Sequence, residues 1–329
     1  MELLLAGVGS YPRIGDDPSL QNLRRVTDQW EKGQRTREEV RRATEEATRL
    51  AIQEQIEAGL DLVTDGLIAW HDPVSHVAGK LEGIAINGLL RYFDTNFYFR
   101  QPEVKEPVRW KEPLLKDEFL FASQISEKPV KPVLTGPYTL ARLTILSCDH
   151  YKNLKSLVLD YAQALKKELE ILALAGASSV QIDEPAILRH SEDWEMFREA
   201  FDVLSKDTRL SLILHVYFGD PAPLYESFQE LPVEVLSFDF SYSATLKDKI
   251  ASLGSEKPLG LGLIDGRNTR METETEVLGA LHKLVPKIRA PFSYLCPSCG
   301  LEFLPRDRAR GKLAAMALFR KSLGNGGTP

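Results

Sequence analysis

The chain has 329 residues, 43% of them hydrophobic, enough to bury a large core in one big domain or two ordinary ones. A formal net charge of -6, with basic and acidic residues interspersed, leaves no basic stripe for a phosphate backbone and argues against nucleic acid as a partner. No apolar run reaches ~18 residues, and the N-terminal Met1-Glu2-Leu3-Leu4-Leu5 has neither a basic n-region nor a cleavage site, so a soluble, cytoplasmic protein without membrane contact is expected.

Residues 3–8 read as a buried strand, followed by the loop Gly9-Ser10-Tyr11-Pro12. Thr36 and Glu39 have the form of a capping box, after which Val40, Ala43, Ala47, Leu50 and Ala51 recur at helical spacing until Ala58-Gly59 closes the helix. A strand over 60–64 follows at once and ends in Asp65-Gly66. Residues 84–108 form an aromatic-rich insertion, with 92–99 alternating as in a hairpin, and are expected to cover one end of the fold as a lid.

The strand over 131–134 ends in Thr135-Gly136-Pro137. Leu154, Leu157, Tyr161, Leu165, Leu169 and Leu172 then mark a long amphipathic helix closed by Ala175-Gly176. The strand over 179–182 begins directly and ends in Asp183-Glu184-Pro185. Later strands over 210–214, 235–238, 259–264 and 292–295 end at His215, Asp239, Asp265 and Cys296. Eight short strands alternating with helices predict an α/β fold, a (β/α)8 TIM barrel over 1–323 with the hairpin insertion after its second strand and a flexible tail over 324–329. No Gly-x-Gly-x-x-Gly opens a helix after the first strand, which argues against a dinucleotide-binding sheet.

In such a barrel the chemistry sits where the strands end, so Ser10, Asp65, Asp183, Glu184, His215, Tyr217, Asp239, Cys296 and Cys299 are expected on one rim. Cys296-Pro297-Ser298-Cys299 places two of only 3 cysteines on one turn, a pattern of metal or redox sites rather than of a disulfide framework. His215, Asp239, Cys296 and Cys299 together form the ligand set that zinc prefers. Alternatives stand beside each: His215 as a hydrogen-bonded core histidine, Asp239 as a cap, the cysteines as inert thiols or a redox pair, Asp183 as a turn cap with Pro185 starting a helix. A carboxylate pair such as Asp183-Glu184 also suits a substrate ammonium group.

At these residues the sequence resembles the cobalamin-independent methionine synthase family, in a short single-barrel form. Ser10-Tyr11-Pro12-Arg13 is similar to the family's opening loop, Val180-Gln181-Ile182-Asp183-Glu184-Pro185 to its most specific motif, and Pro297-Ser298-Cys299-Gly300 to its last metal-ligand motif. Phe93-Asp94-Thr95-Asn96 and Asp265-Gly266-Arg267-Asn268 look instead like the non-catalytic N-terminal barrel of the long members.

The resemblance implies a zinc-dependent methyltransferase that methylates the homocysteine thiol, with Ser10, Asp65, Asp183 and Glu184 holding the amino-acid end. Where the family has His-x-Cys this chain has His215-Val216-Tyr217, and its usual Glu ligand is the shorter Asp239. Cys296 is expected to supply the missing thiolate, with Tyr217 as the alternative. Leu143 stands where the long enzymes place a Trp against folate, Arg267 where they place a proton-donating His, and Leu67 where they have a second carboxylate. A folate amine needs a general acid to leave, and an Arg keeps its proton near neutral pH, so a methylcorrinoid donor is expected, free or on a corrinoid carrier protein. Methylfolate as donor, another thiol such as coenzyme M as acceptor, and a non-catalytic binding barrel remain as alternatives.

Overall fold

A computed structural model of the chain describes residues 1–325, the side chain of residue 325 excepted. Ten strands, β1 (Glu2–Leu5), β2 (Glu82–Arg91), β3 (Tyr98–Arg109), β4 (Val133–Thr135), β5 (Ile145–Leu146), β6 (Ser179–Asp183), β7 (Ser211–Val216), β8 (Val235–Asp239), β9 (Leu259–Ile264) and β10 (Phe292–Pro297), are named along the chain. They alternate with helices α1 (Asn22–Glu31), α2 (Arg37–Glu57), α3 (Ser75–Ala78), α4 (Lys116–Ile125), α5 (Pro137–Leu143), α6 (Leu154–Leu174), α7 (Trp194–Ser205), α8 (Tyr225–Glu230), α9 (Leu246–Leu253), α10 (Glu274–Leu284) and α11 (Arg306–Asn325). Among the described residues no helix is long and apolar enough to cross a membrane.

The chain divides into two compact units interleaved along the sequence: residues 1–69, 118–131 and 247–329 in the first, 70–117 and 132–246 in the second. In the first, β1 pairs parallel with β10, and β10 with β9. The strand read over 60–64 survives as isolated parallel bridges, Ala6 to Leu62 and Val63 to Val130, because Gly59 and Gly66 at positive φ turn the backbone on either side. Helix α2 starts at the capping box read from the sequence: Thr36 Oγ accepts the Glu39 N–H at 3.2 Å while Glu39 returns a carboxylate to the Thr36 N–H at 2.8 Å. Its apolar stripe buries Ala43, Ala47, Ala51 and Ile52. In the same unit Arg306, at the start of α11, donates to Glu54 at 3.1 Å and to the carbonyl of Pro12 at 2.7 Å. This nearly buried pair pins the opening loop to α2; losing one partner of such a pair typically costs ~3–5 kcal/mol.

In the second unit β4, β6, β7 and β8 are parallel neighbours in that order. Helix α6 packs Leu157, Tyr161, Leu165, Leu169 and Leu172 into the core, each of them 0–1% exposed. Burying each such side chain is worth about 1.5–3 kcal/mol before chain entropy is charged. The insertion is a hairpin, as expected: β2 and β3 pair antiparallel, and β3 takes β5 as a parallel neighbour on its other edge.

Two boundaries move. Strand β10 runs on through Pro297, so Cys296 lies inside the strand and only Cys299 beyond its end, whereas the sequence reading put both on one turn. At the C-terminus α11 continues through Asn325, so the tail expected over 324–329 begins inside a helix, and 326–329 lie outside the described residues.

Candidate active site

Each unit places a group of the expected residues at the C-terminal ends of its parallel strands. In the second unit, Asp183 closes β6, His215 is the next-to-last residue of β7, and Asp239 ends β8. Parallel pairing sets Asp183 beside His215 and His215 beside Ser237. His215 is fully buried, and its Nδ1 meets Ser237 Oγ at 2.9 Å, so the ring orientation is fixed through Nδ1. Asp239, also fully buried, accepts the Ser241 N–H at 2.8 Å on Oδ1 and the Phe218 N–H at 3.3 Å on Oδ2. It therefore closes its own turn rather than capping the next helix, since α9 starts only at Leu246, whose N–H donates to Ser243 Oγ at 3.0 Å. Metal-binding carboxylates are commonly held in this way, so the turn does not remove Asp239 from the ligand set.

Asp183 accepts from Gln181 Nε2 at 2.7 Å and from the Tyr217 hydroxyl at 3.4 Å. Tyr217 stands 3.0 Å, oxygen to oxygen, from Tyr92, the residue at which the β2–β3 turn begins. The hairpin turn is thus seated on the ends of β6 and β7. Phe93 and Phe218, both at positive φ, stand with ring centroids 6.0 Å apart and planes tilted by 59°, and Tyr242 donates to Asp94 at 2.9 Å.

Glu184 looks the other way. Its Oε1 accepts the Tyr138 N–H at 2.9 Å and its Oε2 the Thr139 N–H at 2.7 Å, so the carboxyl caps the first turn of α5. Gly136 makes room for it: a Cβ there would come 2.3 Å from Glu184 Oε1. Burial raises the Glu184 carboxyl to about 8, outweighing the hydrogen bonds that favour its charge.

In the first unit, Cys299 lies beyond β10 on the loop Ser298-Cys299-Gly300. Ser298 N–H donates to the Ile264 carbonyl at 2.7 Å and its Oγ accepts the Gly266 N–H at 3.1 Å, which locks this loop to the end of β9. Gly266 and Gly300 are both contact positions, since a Cβ would come 2.9 Å from Cys299 Sγ at the first and 2.0 Å from Ser10 Oγ at the second. Ser10, on the loop after β1, is therefore packed against Gly300, the residue that follows Cys299. Asp65 uses Oδ1 to accept the Leu67 N–H at 2.9 Å, shaping the turn in which Gly66 and Leu67 both have positive φ. Cys296 and Cys299 are buried thiols, not joined in a disulfide.

By donor chemistry each unit offers residue types that zinc accepts: an oriented imidazole and a carboxylate, His215 and Asp239, in the second, and two thiols, Cys296 and Cys299, in the first. Among the described residues, no group of three or more His, Cys, Asp or Glu side chains is gathered as a metal ion would require. Ser237 and Tyr92 were not singled out by the sequence reading. Ser237 carries no motif, and Tyr92 meets Tyr217 across 125 positions, a pairing without a local signal.

The fold is shared along the whole chain with a B12-independent methionine synthase from Shewanella, solved with selenomethionine, at a TM-score of 0.81, 22% identity and coverage of 99% of this chain and 98% of that one. A vitamin-B12 independent methionine synthase of Listeria monocytogenes, itself described as putative, superposes at 0.80 with 16% identity, over 98% of this chain and 99% of that one. The fold class is thus the α/β, (β/α)8 type with a hairpin inserted after the second strand. Residues 4–321 match the family described as cobalamin-independent synthase, catalytic domain. A methionine synthase of Saccharolobus solfataricus is 32% identical over 311 residues, 94% of this chain and 91% of the relative; one of Sulfurisphaera tokodaii is 32% identical over 328 residues, 97% and 93%. The chain belongs to the cobalamin-independent synthase family and is a methyltransferase of the methionine synthase type.

Proposed function

We propose that this chain methylates the thiol of homocysteine to give methionine, using a zinc ion held by His215, Asp239, Cys296 and Cys299. The observation that carries the metal part is the fully buried His215 ring, fixed through Nδ1 by Ser237 beside the equally buried Asp239. An imidazole so oriented and a hydrogen-bonded carboxylate on neighbouring strands are the two halves of a prepared ligand pair. When bound, zinc supplies a Lewis acid that lowers the pKa of a coordinated thiol, so that the nucleophile is available near neutral pH. Cys296 stands in for the thiolate that the family pattern places where this chain has Tyr217, and Tyr217 is the alternative ligand.

Ser10, Asp65 and Asp183 hold the amino-acid end of the substrate. Glu184 contributes by seating α5, and with it the Thr135-Gly136-Pro137 turn, rather than by contact. Holding that end fixes the sulfur for in-line attack on the donor methyl carbon. A substrate and a site that both depend on reduced thiols suit the cytoplasm.

The donor we propose is a methylcorrinoid, free or presented by a carrier protein. The carbon–cobalt bond breaks with its electron pair on cobalt as the sulfur–carbon bond forms, and no proton is required. Methylfolate would need a general acid, and Arg267, whose backbone N–H is fixed to Asp265 Oδ1 at 2.9 Å, does not supply one near neutral pH. The family's name speaks against a resident cobalamin cofactor; here the corrinoid is a substrate.

The test is methionine formation from homocysteine with methylcobalamin and with methyltetrahydrofolate side by side, on wild type and Cys299→Ala. Faster turnover with the corrinoid, and loss of both zinc and turnover in the variant, are expected. Faster turnover with the folate overturns the donor, and a variant that keeps its zinc and full rate overturns the metal site.

A further inference from the structure

The hairpin and the rim of the second unit meet at one buried point. Tyr92, 2% exposed at the end of β2, and Tyr217, 6% exposed one residue past β7, bring their hydroxyl oxygens to 3.0 Å, and Tyr217 reaches Asp183 Oδ2 at 3.4 Å. Each phenol has a single proton to give. Tyr217 donates to Asp183 Oδ2, which leaves its oxygen to accept the proton that Tyr92 gives. That ordering makes a directed chain from hairpin to carboxylate, while Gln181 fills Oδ1 at 2.7 Å.

We infer that Tyr92 and Tyr217 are positioning residues, a phenol relay through which the hairpin turn fixes Asp183 for the ammonium group of the substrate. The inference rests on Asp183 holding that group, as argued above. The aromatic packing supports it. Phe218 is held at positive φ with its ring edge-on to Tyr217 at 4.6 Å and to Tyr92 at 6.2 Å, so the two phenols are clamped by neighbours that pay a backbone cost to be there. A carboxylate oxygen can accept more than one donor, so Oδ2 can take a charge-assisted donor such as an ammonium beside Tyr217. On this reading the phenol at position 217 orients a carboxylate and is not the fourth zinc ligand.

The experiment is steady-state kinetics and zinc content of Tyr92→Phe, Tyr217→Phe, the double variant, Asp183→Asn and Tyr242→Phe, with homocysteine and with 4-mercaptobutyrate, which lacks the amino group. Loss of one net hydrogen bond corresponds to about 5-fold in an equilibrium. Y217F is expected to raise KM for homocysteine by about that factor with kcat within roughly twofold, Y92F by somewhat less, and the double variant no more than Y217F alone. Zinc content stays at the wild-type level in all three, and none of them changes the kinetics with 4-mercaptobutyrate. Y242F, which removes one donor to Asp94 on the same turn without touching the relay, leaves KM within twofold. If D183N raises KM but Y92F and Y217F do not, the relay is wrong and the substrate assignment stands. If D183N leaves KM unchanged, the assignment of Asp183 fails and the relay with it. Loss of zinc in Y217F would make Tyr217 a ligand and overturn the inference.

Discussion

The imidazole of His215 gains its direction from a serine that no motif announces. Ser237 Oγ lies 2.9 Å from His215 Nδ1, and both are buried. Removing such an outer partner typically costs 10- to 100-fold in metal affinity without removing a ligand. Ser237→Ala should therefore weaken zinc binding by about that factor in competition with a chelator, yet bind one zinc when the metal is saturating. Unchanged affinity would mean that His215 is not a ligand. Sequence alone put Asp183, His215 and Asp239 at strand ends, where the structure has them, because a strand of apolar residues that stops at Asp or His marks its own boundary. It could not tell which way each pointed. Glu184, adjacent to Asp183 and read with it as a substrate pair, turns to α5. Cys296 falls inside β10, since backbone pairing with β9 does not stop at the first polar residue.

Among the elements, α5 shows most directly how a motif becomes structure. Gly136 and Pro137 begin a helix of only 7 residues, and its first N–H groups have a buried carboxyl to donate to in place of water. The Glu184 carboxyl is raised from 4.5 to about 8 by burial, so the folded protein holds a proton there that the unfolded chain releases. The sign follows: stability from this group is complete below pH 4.5 and is lost as pH rises towards about 8. Denaturant unfolding of wild type should accordingly weaken across that interval, and Glu184→Gln, which cannot titrate, should flatten the slope. An equally steep slope in the variant would assign the dependence to another group. The elements themselves were mostly legible, since α2 and α6 carry strong 3.6-residue periodicity with clear caps. The strand over 60–64 shrank to bridges because its flanking glycines bend the backbone, an effect that composition does not reveal.

At the scale of the molecule, eight strand–helix units could be counted from the sequence because each pairs an apolar run with a polar stop, and the fold agrees. What could not be counted was contact between distant segments. The seat of the hairpin on β6 and β7 depends on two phenols and two aromatic residues at positive φ, none of which has a one-dimensional pattern. The chemistry proposed here requires a metal. The most direct measurement is methionine formed from homocysteine and methylcobalamin by the purified protein before chelation, after exhaustive chelation, and after one equivalent of zinc is returned. Turnover is expected to disappear with the metal and to come back with it. A chelated, metal-free protein that turns over at the original rate would contradict the metal requirement.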